Sequence, residues 1–582
     1  MIFKSIHKYI KYRIDRLFNK GLIYQLIILV LGILCMLLVT SIFMRFLFNY
    51  PLEKAFWEGV NQFIATGNIS AVDGHFGIVI IFLIINFVGV CVWGLLIAMI
   101  NNSLQLRIYN LSKGNSFIME RNHSIILGYG EEALTIIEEF IIGRAKKIVL
   151  LSEHDADSIK KRIVFMKKHG KADIIIREGN PNIIENLKLL NIEKSHSISI
   201  INDNDTESLK ILLSLKKISD ESDNRHNTMN ICVLLNNMES IEIIKSIEDK
   251  IFKIHAVYKY EILYKLIAQS IVYTGLSSVY EELFSYNGND IKIEKDYNLE
   301  NMKFIDASKK MLNKNEILLG FIDNKDKTLF SPGYNSLIKN KDDLIILYKN
   351  KGKENIHISS HVGIEPKYKH KVLLICNNII SSEIMEIISI YNNDSEIIQL
   401  DYSDIDNVKI KYEYLLKNIN ENHITKIIII SENIDTDVRA INILLIIRQI
   451  IRKNDYHIPI LSLINSIENR DLIYSYDIRD FIVSGKLIGM LMAHASLNPD
   501  ILSVFNGLLS KNGKDIIMQK YSDHFSEPKE FIDVHLELLK KGIIVIGIKS
   551  ISKIVLNPMA NVIINTTDEI VVITNYDLIK NN

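Results

Sequence analysis

Two apolar runs without a single charged side chain, Leu22 to Met44 and Gly77 to Ile100, stand near the start of this 582-residue chain. As helices rising ~1.5 Å per residue, each is long enough to cross the ~30 Å hydrocarbon layer of a bilayer. The first exceeds the ~7–15 apolar residues of a cleaved signal segment, and a second run follows it, so a membrane hairpin is expected. Residues 1–20 carry Lys4, Lys8, Lys11, Arg13, Arg16 and Lys20 against Asp15 alone; the 45–76 connection carries Arg45 and Lys54 against Glu53, Glu58 and Asp73. The positive-inside bias therefore places the N-terminus and the large C-terminal part in the cytoplasm and the connection outside. Compact loops point to an integral plasma-membrane protein of prokaryotic type.

The connection is longer than a hairpin needs. Phe56, Trp57, Val60, Phe63 and Ile64 recur at helical spacing, so Glu53 to Ile64 is expected to form a short amphipathic helix, with Pro51 suited to its start. Ala65-Thr66-Gly67-Asn68-Ile69-Ser70 follows, small and polar. Irregular backbone is tolerated at membrane depth only where protein buries it or water lines it. Its carbonyls, with the Thr66 and Ser70 hydroxyls, then suit an ion's coordination shell, as in a selectivity filter. An ordinary extracellular loop with an interfacial helix is the plainer alternative. In the second run, Gly89 and Gly94 read as gating hinges or as close-packing positions, and Asn86 as pore-facing or as an interhelical contact. Two spans cannot enclose a conduit alone, so a ring of four chains is expected.

After Arg121 apolar strands alternate with amphipathic helices. His123 to Leu127 reads as a strand, and Gly128-Tyr129-Gly130-Glu131-Glu132-Ala133 follows as G-x-G-x-x-A at a strand-to-helix turn. A second strand, Lys147 to Leu151, ends near Glu153, an acid placed to accept from ribose hydroxyls. Gly128, Gly130, Ala133 and Glu153 are thus the candidate residues for NAD(H) or another nucleotide. Strands at Asp173 to Arg177, Ser197 to Ile201 and Ile231 to Leu235 complete an open parallel sheet. A second unit begins at His370 with strands Lys371 to Ile375, Glu396 to Leu400, Lys426 to Ile430 and Ile458 to Leu463, but Cys376-Asn377-Asn378 stand where its glycines belong. That copy reads as structural.

Matching material follows each unit. Lys265-Leu266-Ile267 answers Lys486-Leu487-Ile488, Gly320 answers Gly547, and Ser331-Pro332 answers Asn557-Pro558, at offsets of 221 to 227 residues. A Rossmann-like half with a small α+β appendage has been duplicated in tandem.

The junction leaving the membrane, Leu111-Ser112-Lys113-Gly114-Asn115-Ser116 then Glu120-Arg121-Asn122-His123 and Ile126-Leu127-Gly128, resembles the CASTOR/POLLUX family of ion channels. The likeness recurs at Asp480-Phe481-Ile482-Val483-Ser484-Gly485-Lys486-Leu487-Ile488. The resemblance implies a membrane α-helical pore of two transmembrane helices plus a re-entrant pore helix. It also implies cytosolic α/β tandem RCK domains (TrkA-N-like, Rossmann-like), each with its α+β appendage, in a homotetrameric gating ring. The implied segments are 1–21 N-terminal, 22–44 and 77–106 spanning, 45–76 pore helix and filter, 107–121 linker, 122–284 and 285–352 first RCK, 370–510 and 511–582 second RCK. The filter departs from the plant pattern, Ala-Asp-small-Gly-Asn-His-Ala, because Ala65 replaces the acid and Ile69 the histidine. A permeant cation, K+ or another monovalent or Ca2+, is expected, without a carboxylate ring to select it.

Equal numbers of basic and acidic residues, 68 each, give no surplus for nucleic acid. Asp203, Asp205 and Glu207 offer oxygens for a gating Ca2+, although helix capping explains them too. Glu432, Asp435 and Asp437 stand similarly. Cys35, Cys91, Cys232 and Cys376, like His154, His196 and His255, lack metal or redox spacing. No nucleophile elbow, Walker A loop or paired catalytic carboxylates appear, so no enzyme is expected. A ligand-gated cation channel is the first expectation. The alternative is a membrane-anchored NAD-binding regulatory subunit or oxidoreductase without a pore.

Overall fold

The computed structural model describes residues 22–64, 76–112, 116–143, 145, 147–166, 172–221, 228–249, 251–273, 275–324, 327–350, 356–357, 370–391, 395–406, 410–469, 481–509, 514–550 and 553–574. They fall into two compact units, divided after Asn115.

The first unit contains the apolar runs as helices Leu22–Phe48 and Phe76–Ser112, with a short helix Leu52–Ile64 between them. At ~1.5 Å per residue both long helices exceed the hydrocarbon thickness. The second runs past residue 106 to Ser112, into the first part of the expected 107–121 linker. Only 11% and 28% of their most apolar windows are buried, unlike the core helices of a soluble protein, which makes both candidate membrane spans. The short helix is amphipathic as expected, but its buried stripe is Ala55, Gly59, Gln62 and Phe63. Trp57 and Ile64 face outward, which corrects the sequence-based assignment of the apolar face. Small residues set that stripe because they let backbones approach: the Gly59 Cα faces Leu37 and Ile85, and a Cβ on Gly89 would lie 2.7 Å from the Phe63 carbonyl oxygen.

The second unit holds the duplicated halves. In the first half, β1 His123–Leu127, β2 Lys147–Ser152, β3 Asp173–Glu178, β4 Ser195–Ile200, β5 Met229–Leu235 and β6 Phe252–Tyr258 form a parallel sheet in the order β3-β2-β1-β4-β5-β6. This is the doubly wound order, with its switch point between β1 and β4. The sixth strand is an addition to those foreseen. Helix Lys259–Val272, here the first crossover helix, leads through helix Leu276–Leu283 to the appendage. That appendage comprises β7 Asn289–Glu294, helix Phe304–Leu312, β8 Glu316–Ile322, β9 Thr328–Phe330 and β10 Asp343–Lys349, an antiparallel sheet ordered β7-β10-β8-β9. A two-residue strand β11, Ile356–His357, pairs with the second appendage.

The second half repeats the plan with one strand fewer. β12 Lys371–Ile375, β13 Glu396–Leu400, β14 Lys426–Ile430, β15 Ile460–Ile464 and β16 Phe481–Val483 form a parallel sheet ordered β13-β12-β14-β15-β16. The second crossover helix, Ser484–Leu497, leads through helix Ile501–Leu508 to β17 Asp515–Lys520, β18 Lys529–Glu530, helix Phe531–Leu539, β19 Ile544–Ser550, β20 Lys553–Leu556, β21 Ile563–Ile564 and β22 Glu569–Thr574. The duplication extends to irregularities. Leu319 is the extra residue of a β-bulge in β8, and Ile546 is the extra residue of the same bulge in β19. Ser331 and Asn557, each preceding a proline, share a positive φ.

The crossover helices are exchanged. The first packs on helix Asn378–Tyr391 and β15 of the second half; the second packs on helix Glu131–Ile142 and on β4, β5 and β6 of the first half. One continuous apolar core therefore joins both sheets and both appendages.

Candidate functional site

The site expected from the glycine motif lies where β1 turns into helix Glu131–Ile142, at the switch point of the first sheet. The turn has the required backbone. Gly128 and Gly130 adopt φ of 110° and 154°, which L side chains rarely accept, and a Cβ on Gly128 would run into the Ile201 carbonyl. Ala133 is fully buried in the core, and Glu153 stands exposed beyond β2.

The side chains around the turn fill it. Glu132, in the first turn of the helix, folds back so that its Oε2 lies 3.2 Å from where a Gly130 Cβ would be. Its Oε1 accepts from the Lys259 ammonium at 2.8 Å, and both side chains are nearly buried, at 9% and 11% exposure. Burial works against the Lys259 charge, but Glu132 outweighs it, and the net effect is to raise its pKa. Lys259 opens the first crossover helix, so the pair ties the glycine turn to the helix that enters the other half. Tyr129, between the glycines, packs its ring on His154 at 4.8 Å. Arg162 donates to the Tyr129 hydroxyl at 3.3 Å, to Glu131 at 3.2 Å and to Glu468 of the second half at 2.7 Å. A nucleotide pyrophosphate needs the helix N-terminus open and the surrounding charge positive. Here a carboxylate is already held there, so the residues present do not fit that group. Periodicity alone did not reveal Lys259 as its partner; a lysine at a helix start, where the macrodipole disfavours it, was the available signal.

The oxygen-rich segments are engaged within the fold. Both oxygens of Asp205 accept from backbone N–H groups, of Asn236 and Asn237, at 2.9 Å. Glu207 accepts from Asn202 at 2.7 Å, and Asp203 is exposed. In the second half Asp437 is fully buried and accepts from the N–H groups of Asn465 and Ser466, while Asn433 and Thr436 form a capping box. Asp205 and Asp437 thus do the same work in the two copies, each pinning the loop after the next strand. Among the described residues no group of three or more His, Cys, Asp or Glu is placed to hold a metal ion. Burial pushes the Cys232 and Cys376 thiols up to about 12, which leaves them protonated and inert.

The exchange of crossover helices creates a second buried polar region between the halves. His494, from the second crossover helix, stacks on Tyr286 at 3.7 Å, with its Nδ1 3.7 Å from Oδ1 of Asp290 at the start of β7. The Tyr348 hydroxyl donates to Asp290 at 2.9 Å. Glu139 accepts from the Ser285 hydroxyl and the Tyr286 N–H. Burial pushes Asp290 and Glu139 up to about 7 and His494 down to about 3. In the other copy Asp515, at the start of β17, accepts from Gln269 of the first crossover helix at 3.1 Å, and burial raises it to about 7 as well. Equivalent strand starts therefore meet the opposite crossover helix through a buried acid. Lys426 adds a further tie, donating from Nζ to the Ser270 and Ile271 carbonyls at 2.5 Å, at the end of the first crossover helix.

In the first unit, Ala65 to Ser70 and Asp73 lie outside the described residues. The second long helix runs unbroken through Gly89, which lies against the Phe63 carbonyl, and Gly94, which has open space around its Cα. Asn86 is buried, and its Nδ2 has no partner among the described residues.

A family profile described as "Castor and Pollux, part of voltage-gated ion channel" matches residues 260–363 and 485–581. Each matched segment starts in a crossover helix and runs through an appendage, so the match falls on both copies of the repeat. The chain is 19% identical to the probable ion channel SYM8 of Pisum sativum over 59% of its length and 39% of the relative's. It is 18% identical to the probable ion channel POLLUX of Oryza sativa subsp. japonica over 93% of its length and 64% of the relative's. It therefore spans about a third to two thirds of the curated relatives. The human SLO3 gating ring superposes on 78% of this chain and 99% of that ring, at 12% identity and a TM-score of 0.54, which shows a shared fold. A structure titled "GsuK channel bound to NAD" aligns with 96% of this chain and 98% of its own at 14% identity and a TM-score of 0.41. With the repeat matched in both copies and the alignment reaching into the membrane unit, the chain is similar to the CASTOR/POLLUX ion channels, as its sequence resemblance implied.

Proposed function

We propose that this chain is one subunit of a homotetrameric, ligand-gated cation channel of the plasma membrane, with both termini cytoplasmic. Ala65 to Ser70 of four copies line the filter, and the duplicated α/β unit forms the gating ring. The observation that carries this reading is covalent continuity: the long helix Phe76–Ser112 is followed, after a short stretch, by β1 at His123. A rearrangement of the α/β unit can therefore be passed to the second span along one continuous backbone. The short helix packed against that span supports a pore helix. In this reading Gly94, with space around it, is the hinge, while Gly89 fixes the short helix in place.

The exchanged crossover helices supply the coupling between the halves. Each half holds the other's helix, so a ligand that shifts one half against the other changes the strain delivered to the linker. Planar-bilayer recording from the purified full chain, with and without Ca2+ on the cytosolic side, tests the proposal. Cation-selective current that Gly67→Trp abolishes supports it, and a well-folded tetramer that stays silent in both conditions refutes it.

A further inference from the structure

A doubly wound sheet with a glycine turn at its switch point implies a dinucleotide on the helix N-terminus. This chain departs from that expectation. We infer that Glu132 is a resident anion: its carboxylate, held by Lys259, occupies the place a ligand phosphate would take, and the turn excludes nucleoside diphosphates and dinucleotides while that pair is closed.

Three observations converge on this. The Glu132 carboxylate lies over Gly130, the residue whose lack of a side chain would otherwise let a phosphate approach. The cation placed to receive that phosphate, Lys259, is already paired and nearly buried. The surrounding charge is also wrong for a polyanion. Glu131, Glu132, Asp203 and Glu468 interact with Arg162 and Lys259, four carboxylates against two cations. Bringing a diphosphate to that mouth adds like charge to an acidic cluster and requires opening a buried ion pair. Arg162, bridging Glu131 and Glu468, also closes the mouth with a residue of the second half. The Glu132–Lys259 pair therefore acts as an internal substitute for a cofactor. It joins the start of the glycine-turn helix to the start of the first crossover helix without a bound ligand.

Isothermal titration of the full-length chain in detergent, with ADP and with inorganic pyrophosphate, tests the inference independently of any conduction. The wild type is expected to give no saturable binding at millimolar ligand. Glu132→Gln, nearly isosteric, removes the resident charge and leaves Lys259 free, so it is expected to tighten binding at least tenfold. Adding Lys259→Met should erase that gain. Micromolar binding by the wild type would overturn the inference, as would a cooperatively folded Glu132→Gln chain with no gain. Should the variant fail to fold, hydrogen exchange on the wild type still decides: protection of the Gly130 to Ala133 amides by millimolar ADP overturns it, and unchanged exchange upholds it.

Discussion

Ser308 and His535 occupy the same position in two copies of one helix, and they touch. Both helices open Phe-Ile-Asp, at Phe304 and Phe531, and the fifth residue of each meets the other, with Ser308 Oγ 3.0 Å from His535 Nε2. The pseudo-twofold axis relating the appendages therefore passes between these side chains. His535 Nδ1 faces the Val545 carbonyl at 2.9 Å, so Nδ1–H donates there and Nε2 accepts from the serine hydroxyl.

That geometry requires a neutral imidazole, and burial holds the His535 pKa down at about 4. A histidine with a depressed folded pKa binds fewer protons folded than unfolded. Its contribution is complete above the ordinary value near 6.5 and is lost as pH falls toward 4, by roughly 3 kcal/mol. Because the buried acids Asp290, Glu139 and Asp515 titrate with the opposite sign in the same window, the check is a difference: in urea unfolding between pH 7 and pH 4.5 the wild type should lose up to about 3 kcal/mol relative to His535→Gln.

Asp290 has the opposite sign. Burial raises its folded pKa to about 7, so the unfolded state releases the proton first and stability falls as pH rises from about 4 through 7. The cost of ionising it reaches about 4 kcal/mol at most. Asp290→Asn, which imitates the protonated form, should therefore melt higher than the wild type at pH 8 and differ little at pH 4.

Gly489 should invert a familiar rule. In an exposed helix interior, Gly→Ala stabilises by about 1 kcal/mol. Here a Cβ would lie 2.6 Å from the Thr135 Cβ and 2.8 Å from the Glu132 carbonyl, on the helix of the opposite half. Gly489→Ala is expected to destabilise by about 1–3 kcal/mol, read as a lower thermal midpoint of the full chain.

Lys426 is fully buried and hydrogen-bonds two carbonyls at the end of a helix from the other half. Lys426→Met fills much the same volume but leaves those acceptors unsatisfied in the core, at a cost of about 1–3 kcal/mol each. Hydrogen exchange should speed up in the last turn of Lys259–Val272 while the centre of β12 stays protected.

Much of this fold is legible without coordinates because it depends on local pattern. Charge-free runs mark the long helices. Short runs of Ile, Leu and Val mark β1, β12, β13 and β14, whose bounds match those read from the chain. The duplication shows in the answering segments. The short helix was legible in place and length but not in orientation, because Ala55 and Gly59 are buried for their smallness and no hydrophobicity pattern weights them. The glycine turn was legible as backbone. The carboxylate that fills it was not, since Glu132 and Lys259 are separated by the whole first sheet.

The sequence by itself determined what each segment must be: a membrane helix, a strand, an amphipathic helix with a face to bury, and a repeat of an earlier segment. Only the tertiary structure decided which partner each face took. The two sheets are copies of one another and offer a crossover helix nearly equivalent surfaces, so apolar periodicity cannot distinguish packing at home from exchange. Close approach decides it, through Gly485 and Gly489 against Glu131, Glu132 and Thr135 on one side and Lys426 against Ser270 and Ile271 on the other. Such contacts join residues far apart in the chain, where the free energy lies in shape and in satisfied hydrogen bonds that no local pattern records.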